Sequence, residues 1–267
     1  QRLDIVNYAL AASIIASFAA MLLCFQLGFG IYSFPIGQTF AGLLIVLWTT
    51  IATWRLRLFP SYWGPLTRSA LRDLFGFGSE VFLLTLGAQL INGSQVFLVT
   101  RLLGVEVAAM WSVMTKVFTL LTQLVTRFVG VATPAFSEML VRGEQDRLHG
   151  GYRAVFDLSV LASCYFGLMI ALGNNAFVDL WTKGRIQWHF MNDWLLAIWF
   201  ILIIQSTCHN AMVVSTKRVQ AAKYVCILEG AAFITASVLI LPRAGISGML
   251  ACSVVCPTVV TLANGTY

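Results

Sequence analysis

The residues best suited to chemistry lie in one run, Ser112–Arg127. Set on a helix at ~100° per residue, Ser112, Thr115, Lys116, Thr119, Thr122, Gln123, Thr126 and Arg127 fall within an arc of roughly 140°. Val113, Met114, Val117, Phe118, Leu120, Leu121, Leu124, Val125 and Phe128 fill the remainder. The run is apolar enough to cross a bilayer, where two central cations cost ~2.5–3.5 kcal/mol each on the insertion scale. Charges kept at that cost point to use, and their sign points to an anionic cargo. Lys116 and Arg127 would hold its charge, and Ser112, Thr119 and Gln123 would offer hydrogen bonds along the same wall.

Other polar residues stand near this wall in the sequence. Counting outward from a turn near Arg101–Glu106, Glu80 and Arg127 are equally far from it, so regular helices would bring the two charges to one depth. They are expected to approach each other, or to snorkel separately to the interface. Gln89, Asn92 and Gln95 fall deeper, at about the level of Lys116, and would complete a polar chamber between these two spans. The threonines have an alternative use, because their hydroxyls can bond the carbonyls of their own helix. His209 and Glu229 are expected at similar depth on two later spans. They read either as a hydrogen-bonded structural pair or as a proton-exchanging one. Asp157 follows Arg153 by one turn, an interfacial ion pair.

Catalytic constellations are poor. His149, His189 and His209 are scattered, and there is no paired-carboxylate motif, phosphate-cradling glycine loop or nucleophile elbow. A hydrolase and an ATPase are therefore disfavoured, and no cofactor is implied beyond coupling to Na+ or H+ through Glu80, Glu229 or His209. The six cysteines lie in apolar stretches without metal or disulfide spacing.

These side chains must be positioned by helices in lipid. Hydrophobic residues make up 59% of the 267, charged residues 10%, and mean hydropathy is +0.83. A soluble domain carries about 25% charged residues. Eight apolar spans are expected, roughly 5–29, 36–53, 76–99, 106–134, 154–173, 193–214, 224–241 and 245–264, in an all-α polytopic bundle. The net charge of +6 marks orientation rather than nucleic acid. Eleven basic residues (Arg2, Arg55, Arg57, Arg68, Arg72, Arg142, Arg147, Arg153, Lys217, Arg218 and Lys223) fall on one side, and four (Arg101, Lys183, Arg185 and Arg243) on the other. This bias puts the N-terminus in the cytoplasm. Trp54 and Trp63 mark the cytoplasmic interface. Trp181, Trp188 and Trp194 mark an outer connection, Asn174–Asp193, expected to lie along the surface. Residues 54–75, with Pro60 and Pro65, read as a cytoplasmic linker whose stretch Leu66–Phe75 forms either an amphipathic surface helix or an ordinary loop.

From the linker onward the chain resembles the polysaccharide flippases of the multidrug/oligosaccharidyl-lipid/polysaccharide (MOP) superfamily, most clearly over residues 70–200. A glycine-bearing span entry, Leu74–Glu80, leads to a polar span closed by Thr100-Arg101-Leu102-Leu103-Gly104-Val105-Glu106-Val107-Ala108. The Lys116 span then ends Thr133-Pro134-Ala135-Phe136-Ser137-Glu138, and the loop Arg142-Gly143-Glu144-Gln145-Asp146-Arg147-Leu148 precedes Tyr152-Arg153. The resemblance implies two six-helix lobes around a cavity with alternating access. Residues 1–53 would be the last two spans of the N-terminal lobe, whose earlier spans are missing from this chain, and 76–267 the C-terminal lobe. It also implies that Lys116 and Arg127 meet the pyrophosphate or acidic sugars of a lipid-linked oligosaccharide, in the cytoplasmic membrane of a bacterium or archaeon. Two rivals are weighed. A multidrug and toxic compound extrusion (MATE) exporter would use Glu80 and Glu229 for coupling, but its cationic drugs would be repelled by Lys116 and Arg127. A glycan ligase or polymerase would need a larger outer loop than Asn174–Asp193.

Overall fold

The computed structural model describes residues 3–56, 67–184, 188–216 and 220–264, and these are helical with no strand among them. Seven segments are long and apolar enough to span a membrane. One of them is divided at Gly245, whose backbone (φ 60°, ψ −150°) is not helical. The chain is an all-α polytopic membrane bundle. The expected linker residues 57–66, with Pro60, Trp63 and Pro65, lie outside the described residues, as do Arg2, Arg185, Lys217 and Arg218.

The helices form two compact units, Gln1–Thr67 and Arg68–Tyr267. In the first, α1 (Leu3–Gln26) and α2 (Ser33–Arg55) pack as a hairpin. Small residues let the backbones approach, as membrane helices require in the absence of a hydrophobic drive between them. Ala9, Ser13, Ser33, Gly37 and Ala41 are the buried positions among the described residues. A Cβ at Gly37 would stand 3.1 Å from the Ser17 carbonyl.

The second unit begins with α3 (Arg68–Asn92), which absorbs residues 68–75 into a spanning helix instead of a separate surface helix. Gly93 interrupts it, and α4 (Ser94–Leu103) carries the span to its end. Gly104, at φ 98°, makes the tight turn into α5 (Val105–Met114), the turn the sequence predicts there. A second interruption, at Thr115 (φ −89°, ψ 4°), separates α5 from α6 (Lys116–Val141). The predicted fourth span is therefore two helices in series. Three long helices complete the unit: α7 (Gln145–Thr182), α8 (Phe190–Ser215) and α9 (Gln220–Asn264). α9 doubles back at Gly245, since a Cβ at Gly248 would fall 2.5 Å from the Ile240 side chain, whereas eight residues of straight helix span about 12 Å.

The core of this unit joins α4 to α9. Phe118 stacks on Trp199 at 4.4 Å between centroids and meets Phe200 edge-on at 6.0 Å. Val99, Trp111, Phe233, Leu241, Met249 and Leu250 close around them. Against this core α6 lays Phe118, Val125, Val129 and Phe136, four positions that a helix brings onto one stripe. α6 packs on α7 and α8, whereas α3 packs on α9 and α4. The contact of α3 with α9 is tight. A Cβ at Gly87 would lie 2.5 Å from the Cys226 backbone, and one at Gly230 would lie 2.8 Å from Leu90.

Candidate functional site

Because α6 spends one stripe on the core, the opposite stripe is left uncovered. Lys116, Thr119, Gln123 and Arg127 are all exposed, diametrically across the helix from Phe118, Val125 and Val129. Leu120, Leu124, Phe128 and Val131, also exposed, form an apolar strip beside them. α6 thus has three faces: one packed, one apolar and suited to lipid, one polar and cationic. Ser112 is exposed too, but the break at Thr115 places it on α5, so it does not continue the regular arc of α6.

The wall can do specific chemistry. Neither Lys116 nor Arg127 makes an ion pair among the described residues. Their donors are therefore open to an anion. Threonine hydroxyls donate inward: Thr115, which is buried rather than on the open wall, to the Trp111 carbonyl at 2.8 Å, Thr119 to Thr115 at 2.8 Å, Thr122 to Phe118 at 2.8 Å and Thr126 to Thr122 at 2.8 Å. Ser112 does the same to Ala108 at 2.9 Å. These oxygens keep only acceptor capacity. The side-chain amide of Gln123, exposed and without a hydrogen bond among the described residues, can both donate and accept. At the far end of α6, Thr133 and Ser137 line a groove of about 450 Å³ with Val214, Ser215 and Thr216 of α8 and its C-cap.

Several expected partnerships are replaced. Glu80 does not meet Arg127. Its Oε1 accepts from Lys223 Nζ at 3.0 Å, with the two side chains only 19% and 14% exposed. Lys223 belongs to the first turn of α9, which packs on α3, and that packing decides the pairing. The chamber expected between spans three and four is accordingly not closed by them, because α3 turns to α9 and α6 to α8. Gln89 and Asn92 are exposed on α3, with Asn92 donating to its own Ala88 carbonyl at 3.1 Å, while Gln95 is buried on α4. His209 is exposed, Glu229 is half-buried near Cys226 and Cys256, and no hydrogen bond or ion pair among the described residues joins the two. Arg153 and Asp157 do pair, at 3.8 Å and largely exposed.

The outer connection is where sequence reasoning missed most. Asn174 lies within α7, which runs on to Thr182, and Asp193 lies in the first turn of α8. Leu180, Trp181 and Phe190 of the expected connection are exposed, but Asn174 and Asp193 at its two ends are not. Instead its ends are buried against each other: Asn174 Nδ2 donates to Asp193 Oδ1 at 2.7 Å and to the Met114 carbonyl at 3.1 Å. Trp188, half-buried against the core, donates its indole N–H to the same Asp193 oxygen at 3.1 Å. The available signal was an Asp and an Asn set just inside two apolar runs, positions where uncompensated polarity is costly.

A family model described as polysaccharide biosynthesis protein matches residues 3–184, and the chain belongs to that family. The match takes in the first two helices as well as α3 to α7, a wider stretch at the N-terminal side than the motifs alone cover. No curated protein and no solved structure matches the chain. It is a multi-pass membrane protein of polysaccharide biosynthesis.

Proposed function

We propose that the protein is a flippase that carries an anionic, lipid-linked oligosaccharide from the cytoplasmic to the outer leaflet by alternating access. One observation carries the reading: a spanning helix holds two cations, Lys116 and Arg127, uncovered by their own unit and unpaired among the described residues. Intramembrane charges of this kind mark substrate paths. Lys116 and Arg127 would take the phosphate or acidic sugar, and Gln123, Thr119, Ser112, Gln89 and Asn92 would exchange hydrogen bonds with sugar hydroxyls. The inward-donating hydroxyls make Thr119 and Ser112 acceptors of sugar O–H groups and nothing more. The apolar strip Leu120, Leu124, Phe128 and Val131 beside the cations suits a cargo whose lipid tail stays in the bilayer while its head crosses. The role is transport and not catalysis. The basic bias of the loops supports a cytoplasmic N-terminal end for this chain.

The test is Lys116→Ala in the full-length protein, with insertion checked by membrane fractionation. Surface glycan should be lost, and Lys116→Arg should restore part of it. Normal glycan from Lys116→Ala removes the lysine from the mechanism. A MATE-type exporter would instead lose drug resistance when Glu80 or Glu229 is neutralised. The Lys223 partner of Glu80 disfavours that role for the first of them.

A further inference from the structure

The junction of α7 and α8 holds a charge that the transport reading leaves unused. Asp193 has no exposed surface. Its Oδ1 accepts two hydrogen bonds, from Asn174 and Trp188, while its Oδ2 has no partner among the described residues. The Oδ1 of Asn174, a residue only 1% exposed, is likewise unpartnered. Because the two amide atoms of Asn174 share one carbon and Nδ2 lies 2.7 Å from Asp193 Oδ1, that free oxygen stands within about 5 Å of the carboxylate. A carboxylate withdrawn this far from water must be compensated. The two donors are neutral, and no cation pairs with the carboxylate among the described residues.

We propose that Asp193 Oδ2 and Asn174 Oδ1 bind a small monovalent cation, sodium or a proton. The donor set is all oxygen and carries one negative charge, which suits a hard ion of single charge. No group of three His, Cys, Asp or Glu gathers among the described residues, so the site is not one for a transition metal. α6, α7 and α9 all pack on α8, yet none of them brings a charge to Asp193. Lys116 on α6, Asp179 on α7, Arg243 on α9 and His189 at the α8 N-cap are exposed and make no bond to it among the described residues. Glu229 of α9 is half-buried near Cys226 and Cys256 instead.

The site also reaches the cationic wall. Asn174 Nδ2 donates to the carbonyl of Met114, the last residue of α5; Thr115 breaks the helix and Lys116 begins α6. One amide therefore joins the carboxylate to the joint that carries Lys116. A cation drawing on Asn174 Oδ1 pulls on the bond to Met114, so occupancy and the attitude of α6 are linked. This coupling rests on the flippase reading; the binding site itself does not.

The experiment uses purified full-length protein. Binding of radiolabelled sodium is measured, and thermal melts are recorded in sodium chloride and in choline chloride at equal ionic strength, at acid and at neutral pH. Sodium should bind once per chain and raise Tm, and Asp193→Asn should weaken binding by at least ~10-fold, which corresponds to about 1.4 kcal/mol. Lys116→Ala should leave sodium binding intact, which separates this site from the cargo site. If sodium does not bind but Tm falls with rising pH in the wild type and not in Asp193→Asn, the cation is a proton. If Asp193→Asn matches the wild type in both responses, the proposal is overturned. Should Asp193→Asn fail to fold, Asn174→Ala keeps the carboxylate and serves the same readouts, and unchanged sodium and pH responses there overturn it as well.

Discussion

The outward face of α6 and the contact of α3 with α9 are both polar stretches of spanning helices, and they meet opposite fates. On α6 the charges of Lys116 and Arg127 stand open. Between α3 and α9 the charges of Glu80 and Lys223 close on each other at 3.0 Å, beside glycines that leave no room for a Cβ. Each arrangement has its own energetics. An open cation in a membrane helix is tolerated through snorkelling or water and adds nothing to the fold, so on the proposed reading what keeps it is function. A closed ion pair between helices is compensated locally, and what loses by its removal is stability. The difference teaches that intramembrane charge alone does not mark a site, and it makes uncovered charge the feature to test.

The largest effect should come from the open wall. Lys116→Ala and Arg127→Ala should each lower glycan export at least ~10-fold, since a hydrogen bond to a charged group contributes about 1.5–3 kcal/mol. Both should leave the melting curve within ~0.5 kcal/mol of wild type, as for changes that break no contact. Melts and surface-glycan blots on the same membranes check the split. A large loss of stability from either would place the cation in a packing role and erase the contrast.

The closed contact should behave the other way. Glu80→Gln strands the Lys223 ammonium and should cost about 2–3 kcal/mol, short of the ~3–5 for pairs wholly buried. Glu80→Leu combined with Lys223→Leu should recover much of that loss, because no unpaired charge is left. Chemical denaturation in detergent reads both, and a double variant no better than the single one would show that the pair does more than cancel itself. Gly87→Ala puts a methyl 2.5 Å from the Cys226 backbone and should cost ~1–3 kcal/mol as an overpacked contact. Gly130→Ala on α6, where a Cβ meets nothing within 4 Å, should be neutral or stabilising by up to ~1 kcal/mol.

The same contrast explains what the sequence could disclose. Periodicity locates every span, because lipid-facing and core-facing positions differ from polar ones in side-chain type, and it places Lys116, Gln123 and Arg127 on one stripe. It also finds the turn at Gly104, where a glycine follows Leu103 between two apolar runs. Interruptions at Gly93 and Thr115 are not legible, since neither residue breaks the hydropathy of its span. Partner choice is hidden too. Equal counting from a turn assigns Glu80 to Arg127, but small residues at Gly87 and Gly230 bring α9 against α3 and deliver Lys223 first. Asp193 and Asn174 look like the edges of a loop because burial there is created by α5, α7 and α8 meeting, which no single helix records.

The smallest effect belongs to a pair the sequence predicts correctly. Arg153 and Asp157 lie one turn apart on α7, their nearest atoms are 3.8 Å apart and both side chains are largely exposed. Water and salt screen such a pair, so Arg153→Ala should change stability by no more than about 0.5 kcal/mol, and that small change should vanish at high salt. Export should be unaffected. The measurement is a melt at low and at high ionic strength beside the glycan blot. A loss of export with an unchanged melt would mean that this exposed cation, too, meets the cargo, extending the open wall from α6 onto α7 and moving the boundary between charges that act and charges that only decorate the surface.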